Sequence, residues 1–153
     1  MKFFIIIKEK SERLHNKNFL DLGGIPVYKH LLNELKTEDV YIDTDSDTIF
    51  NECKTLSKVT CYKRDTKHIE LENNIEYAVS PVLLMIENFL HKYVQDENEV
   101  IITPHVTSPY ITLKTMLEAT QMLSEYDTVC ACTEHKEFTY FKGEAVNFNP
   151  NVV

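Results

Sequence analysis

A chain of 153 residues with 43% hydrophobic and 26% charged content has the make-up of one soluble globular domain, not of a fibrous or low-complexity protein. No window approaches the roughly eighteen uninterrupted apolar residues of a membrane span, and the Phe3–Ile7 run is too short for a signal peptide's core, so a cytoplasmic protein is predicted. The net charge of −8 argues against nucleic acid as a partner, because a polyanion is repelled on approach.

The apolar run from Phe3 to Ile7 lacks polar alternation and predicts a strand over 3–8 covered on both faces, as in a parallel sheet. It breaks into a Lys-rich, glycine-free loop that reaches Asn18. Gly23-Gly24-Ile25-Pro26 then turns into a helix with Tyr28, Leu31, Leu32 and Leu35 on one face and Pro26 in its tolerated first turn. A second strand is predicted at 39–43. Asp45 or Ser46 caps the following helix, whose apolar stripe is Ile49, Phe50, Cys53 and Leu56. A short strand falls near 58–62, and residues 63–76, polar and mixed in charge, read as a loop. Ser80-Pro81 opens a long helix with Val82, Leu83, Ile86, Phe89, Leu90 and Tyr93 inward. After the acidic turn at 96–99 come a strand at 100–103, a Thr107-Ser108-Pro109 loop, a helix at 112–124 and a strand at 127–132, with Glu137 to Phe141 as one more strand.

Strands alternating with helices predict an α/β fold, a mostly parallel sheet with helices on both faces and ligands beyond the carboxyl ends of the strands. Charge is unevenly placed along it. Residues 1–36 hold seven Lys/Arg and four Asp/Glu, a balance of +3, which leaves −11 on the rest. A cationic pocket in an acidic body suits a small phosphorylated ligand. The four cysteines form no C-x-x-C pair, so Cys53, Cys61, Cys130 and Cys132 read as small core residues of a reduced protein, with a disulfide or zinc framework as the alternative.

The chemistry-bearing residues cluster after three predicted strands. Lys8, Arg13 and Lys17 offer cations to phosphate, Arg13 with bidentate geometry, and Ser11 and Asn18 add neutral donors. A solvated surface loop is the other reading of such a stretch. Asp43 and Asp45 are hard oxygen ligands suited to Mg²⁺ at a strand end, although helix capping explains Asp45 equally well. His105 and Thr107 stand in a loop before a helix, and Arg64 follows the third strand.

Three motifs carry a family resemblance. Lys8-Glu9-Lys10-Ser11-Glu12-Arg13, followed at the right spacing by Lys17-Asn18, is similar to P-A-R-x-x-S-K-R-x-x-x-K-N of the acylneuraminate (sialic acid) cytidylyltransferases. Lys8 replaces the family arginine, Glu12 its lysine, and Ile6-Ile7 its Pro-Ala. Val40-Tyr41-Ile42-Asp43-Thr44-Asp45 resembles V-V-V-S-T-D, and Ile101-Ile102-Thr103-Pro104-His105-Val106-Thr107-Ser108-Pro109 resembles L-L-Q-P-T-S-P with His105 for glutamine. The resemblance implies a three-layer Rossmann-like nucleotidyltransferase fold over a single domain, 1–153, lacking the family's C-terminal portion. It implies transfer of CMP from CTP to a nine-carbon keto-sugar acid with release of pyrophosphate, aided by Mg²⁺. Lys17 and Arg13 become the catalytic candidates. Lys8, Ser11, Arg13, Lys17, Asn18, Arg64, Ser80, His105 and Thr107 become nucleotide-binding candidates, with Arg64 near the base. Ser80 also reads as a plain helix cap. CTP and a sugar acid are the implied partners, a homodimer stays open, and Asp43 and Asp45 are the metal candidates. The other reading is a catalytically impaired nucleotide-binding or interaction module derived from that fold. On either reading the chain alone is expected to bind nucleotide with little or no transfer.

Overall fold

The computed structural model describes residues 1–11, 14–72, 80–134, 137–147 and 149, with the side chain of residue 72 excepted. The chain forms two compact units, Met1–Gln121 and Met122–Val153. In the first, strand β1 (Lys2–Ile7) is followed by a small hairpin, β2 (Asp21–Leu22) and β3 (Ile25–Pro26), and helix α1 (Val27–Glu34). The hairpin turns on Gly23 and Gly24 at φ +65° and +93°, a left-handed pair that side-chain-bearing residues resist. Then come β4 (Val40–Thr44), α2 (Asp47–Cys53), β5 (Val59–Lys63), α3 (Thr66–Glu72), α4 (Pro81–Tyr93), β6 (Ile101–Ile102) and α5 (Leu113–Thr120).

The four long-range strands form one parallel sheet in the order β5-β4-β1-β6. Strand β1 lies inside it and is buried on both faces, as its unbroken apolar run requires. Phe3, Ile5 and Ile7 face a core built with Tyr28 and Leu31 of α1, Ile49 and Cys53 of α2, and Met116 of α5. Phe4 faces the opposite way, where Met85 and Phe89 of α4 close a second core. Phe4 and Phe89 stack with ring centroids 4.3 Å apart, and Tyr41, Tyr62 and Tyr93 extend the aromatic layer. Helices on both faces of a mostly parallel sheet are the α/β architecture expected from the sequence.

The differences are local. Residues 66–72, read from their polarity as loop, form α3. The Asp65 carboxylate accepts the Lys67 N–H at 2.8 Å and its carbonyl accepts the His68 N–H at 2.9 Å, so an Asp at the N-cap starts a helix that apolar periodicity did not announce. The rest of that predicted loop, 73–76, lies outside the described residues. Val82, Leu83 and Leu90 of α4 are exposed, not inward. The sheet face under α4 is narrow enough that Met85, Ile86, Phe89 and Tyr93 cover it, one stripe at helical spacing. Leu56 is exposed as well, because α2 stops at Cys53 and a tight turn carries Leu56 away.

In the second unit no strand forms at 127–132, and Cys130 and Cys132 are exposed, not core. A β-branched run makes a strand only where a neighbour accepts its ladder, which sequence alone cannot supply. The strand expected over 137–141 is shorter, a hairpin of β7 (Tyr140–Phe141) and β8 (Glu144–Ala145) across Lys142-Gly143. Cys53 and Cys61 do belong to the core region of the first unit. No helix among the described residues is long and apolar enough to cross a membrane.

Glu52 ties the helices on one face together. It accepts the Tyr28 hydroxyl and pairs with Lys29, both from α1. Burial pushes its carboxyl up, but the hydrogen bonds from Lys29 and Tyr28 outweigh that and hold it below its ordinary 4.5. A carboxylate with a depressed folded-state pKa stabilises above the unfolded value and loses that contribution as pH falls through the folded one. Glu52→Gln is therefore expected to lower the urea midpoint at pH 7 and to make little difference near pH 3. An equal loss at both values would refute the charge-based account.

Candidate functional site

The carboxyl ends of three strands are level. Ile7 of β1 pairs with Thr44 of β4, and Thr44 pairs with Lys63 of β5. Strand β6 differs, because it ends opposite Phe3 and leaves a step beside the last turns of β1. The strand order reverses direction between β1 and β6, and such switch points open a crevice for ligands.

The exit of β1 is held by side chains from three other places. Arg64 reaches to within 3.5 Å of the Ile7 carbonyl with Nη2. Asn18 Nδ2 donates to the Lys8 carbonyl at 2.7 Å. Asp45 Oδ1 accepts the Glu9 N–H at 2.7 Å. Three successive residues of the chain are thus fixed just where the basic loop begins.

Asn18 arrives there on a single 3-10 turn, Lys17–Phe19, that follows Asn16 in the left-handed region at φ 50°. Asparagine tolerates that region better than most residues. The Asn18 side chain is buried at 5% exposure, and its Oδ1 has no hydrogen-bond partner among the described residues. Lys8, Ser11 and Lys17 are half-buried around the same loop. Arg13, the remaining candidate of this loop, lies outside the described residues, as does Glu12.

Behind the loop sits a buried ion pair. Arg64 Nε donates to Asp43 Oδ1 at 2.6 Å with side-chain exposures of 0% and 1%. The Arg64 N–H also donates to the Thr44 carbonyl at 2.8 Å, continuing the ladder one residue past β5. Arg64 was expected at the base, and the structure places its guanidinium inside the protein against Asp43.

Asp45 is half-buried beside Ser46, whose side chain, not that of Asp45, caps α2 through the Ile49 N–H. Lys63 was missed by the sequence reading. Its Nζ bonds the Asp45 carbonyl at 3.1 Å and Asp47 Oδ1 at 2.7 Å, so it adds a cation to this edge. The signal available was its place at the end of a strand next to Arg64.

The loop after β6 is anchored by buried Pro104 and Val106 and by Ile111, which packs against the main core. Turns from Ser108 N–H to the His105 carbonyl and from Ile111 N–H to the Ser108 carbonyl set its course. His105 and Thr107 are exposed on it. Ser80 occupies the N-cap of α4 but makes no side-chain capping bond. Ser80, His105 and Thr107 share no hydrogen bond with the β1-exit cluster among the described residues. Two surface concavities, one lined by Leu32, Lys36 and Leu56 and one by Leu90, Val94 and Glu99, precede β4 to β6 at the opposite edge and have no part in this cluster.

In each metal candidate one carboxylate oxygen is engaged, Asp43 Oδ1 by Arg64 and Asp45 Oδ1 by the Glu9 N–H. No group of three His, Cys, Asp or Glu side chains among the described residues could hold a metal ion. The aspartates alone make no metal cluster, and Mg²⁺ held through one or two carboxylates and substrate phosphates needs none.

An open, mostly parallel sheet with helices on both faces and a switch point between β1 and β6 defines a Rossmann-like α/β protein. Residues 5–153 match the cytidylyltransferase family model, and the chain belongs to that family. Family membership implies chemistry that depends on a divalent metal. No curated protein sequence matches the chain significantly. Among solved structures, it is similar to the CMP:2-keto-3-deoxy-manno-octonic acid synthetase complexed with CTP, at 17% identity and TM-score 0.55 over 83% of this chain and 48% of that one. It is also similar to the bifunctional IspDF from Campylobacter jejuni, at 15% identity and TM-score 0.61 over 95% of this chain and 36% of that one. At these identities the likeness is one of fold. The chain spans about half or less of the length of these structures.

Proposed function

We propose that the chain binds CTP across the β1–β6 crevice and supplies the nucleotide side of a transfer of CMP to a hydroxyl of a keto-sugar acid. The acceptor oxygen attacks the α-phosphorus, the bond to the bridging oxygen breaks, pyrophosphate leaves and the hydroxyl proton is released. Such a reaction needs no protein nucleophile and depends on positioning and on cations around the phosphates. Lys8, Arg13 and Lys17 are the phosphate ligands, with Lys17 and Arg13 carrying the developing charge, and Ser11 orients the triphosphate. Asn18 shapes the loop and offers its Oδ1 inward. Arg64 supports the loop from behind, and His105 and Thr107 face the nucleotide and the acceptor.

The observation that carries this reading is the exit of β1, where residues 7, 8 and 9 are each bonded by a side chain from elsewhere in the fold just before the basic loop begins. The loop motifs favour a nine-carbon acceptor of the sialic acid type. Likeness to the octonic acid synthetase supports the wider class of 2-keto sugar acids.

Calorimetry tests the loop. Mg-CTP is expected to bind at least about tenfold more tightly than Mg-CMP, the effect of one further phosphate contact of about 1.4 kcal/mol. Equal affinity for the two, or none for either, sinks the assignment. A second reading, a binding module without turnover, is favoured by the engagement of Asp43 and Asp45. Pyrophosphate release with CTP and a panel of eight- and nine-carbon keto-sugar acids separates the readings.

A further inference from the structure

We propose that Asp45 is a positioning residue that clamps the start of the basic loop, and not a ligand of a divalent cation. Its carboxylate reaches from the end of β4 to the Glu9 N–H, across 36 positions of sequence. The bond is charge-assisted and short at 2.7 Å, so it outweighs the water contacts an exposed amide would otherwise make.

The carboxylate is aimed by a rigid corner. On one side of Asp45, Thr44 is buried and its Oγ1 accepts the Ser46 N–H at 3.1 Å. On the other, Ser46 is buried and caps α2. The carbonyl of Asp45 itself is taken by Lys63. These bonds fix the backbone from which the Asp45 side chain reaches Glu9.

Clamping also explains how a negative group is tolerated beside the proposed phosphate site. Its charge is directed at a backbone N–H. The link from clamp to nucleotide rests on the proposed phosphate role of the loop, whereas the clamp itself does not.

Two variants decide. Asp45→Asn keeps an acceptor oxygen and loses the charge, and Asp45→Ala loses both. In the free protein, Glu9 amide exchange followed by NMR is expected to quicken about tenfold in Asp45→Ala, the scale of one lost hydrogen bond, and by a smaller factor in Asp45→Asn, which keeps a neutral acceptor. Mg-CTP affinity should follow the same order, with the Mg²⁺ concentration for half-maximal binding unchanged in Asp45→Asn. Unchanged Glu9 exchange in Asp45→Ala overturns the proposal. So does an Asp45→Asn protein that matches Asp45→Ala, or one that demands more Mg²⁺, as a lost metal ligand would. If wild type binds no CTP, the proposed function fails while amide exchange still judges the clamp.

Discussion

Asp43→Ala is expected to cost about 3–5 kcal/mol of stability, the range for removing one partner of a buried ion pair. The magnitude follows from burial. Arg64 and Asp43 have side-chain exposures of 0% and 1%, so water cannot replace the lost carboxylate. The contrast is Lys114–Glu118, exposed at 84% and 59%, whose loss should cost no more than about 0.5 kcal/mol. A double variant, Asp43→Leu with Arg64→Met, should recover part of the loss, because it removes the buried guanidinium together with the carboxylate it faces. Urea denaturation with an unchanged slope measures all three. A loss below about 1 kcal/mol in Asp43→Ala would mean that the guanidinium finds another anion or reaches solvent.

Replacing Lys8 and Lys17 together by alanine is expected to weaken Mg-CTP binding at least about 100-fold, from two charge-assisted contacts of about 1.5 kcal/mol or more each. CMP binding should fall much less, since a single phosphate cannot engage both cations. Fold stability should hardly change, because both lysines are only half-buried. The comparison of CTP with CMP is what isolates the loop. A uniform loss for both nucleotides would point to a general charge effect of the cationic edge, and no loss would remove Lys8 and Lys17 from the site.

The central strands were legible because their evidence is local. Phe3 to Ile7 could only be a doubly covered strand, and Val40 to Asp43 followed the same logic. Helix α3 was not legible, because its cap at Asp65 is one residue and its face has few apolar side chains. The carboxyl-edge location of Lys8, Asp45 and Arg64 could be read from strand ends. What each does there could not. Arg64 looks like a free cation in sequence, and only the fold brings Asp43, 21 residues away, against it. Asp45 looks like a cap, yet Ser46 takes that position and Asp45 crosses to Glu9.

The place of β1 in the sheet sets an order of assembly. Its pairing with β4 joins Phe3 to Val40, a separation of 37 residues, whereas its pairing with β6 joins Phe3 to Ile102, a separation of 99. Closing the longer loop costs about 1 kcal/mol more chain entropy than closing the shorter one. Only two residue pairs of β1–β6 ladder return that cost, against five for β1–β4. The β5-β4-β1 half can therefore form early on its own contacts, while β6 docks last and opens first. The crevice has β1 as one wall and β6 as the other, so the protein completes the proposed ligand site in the final step of folding, and a ligand spanning both walls would hold that seam shut.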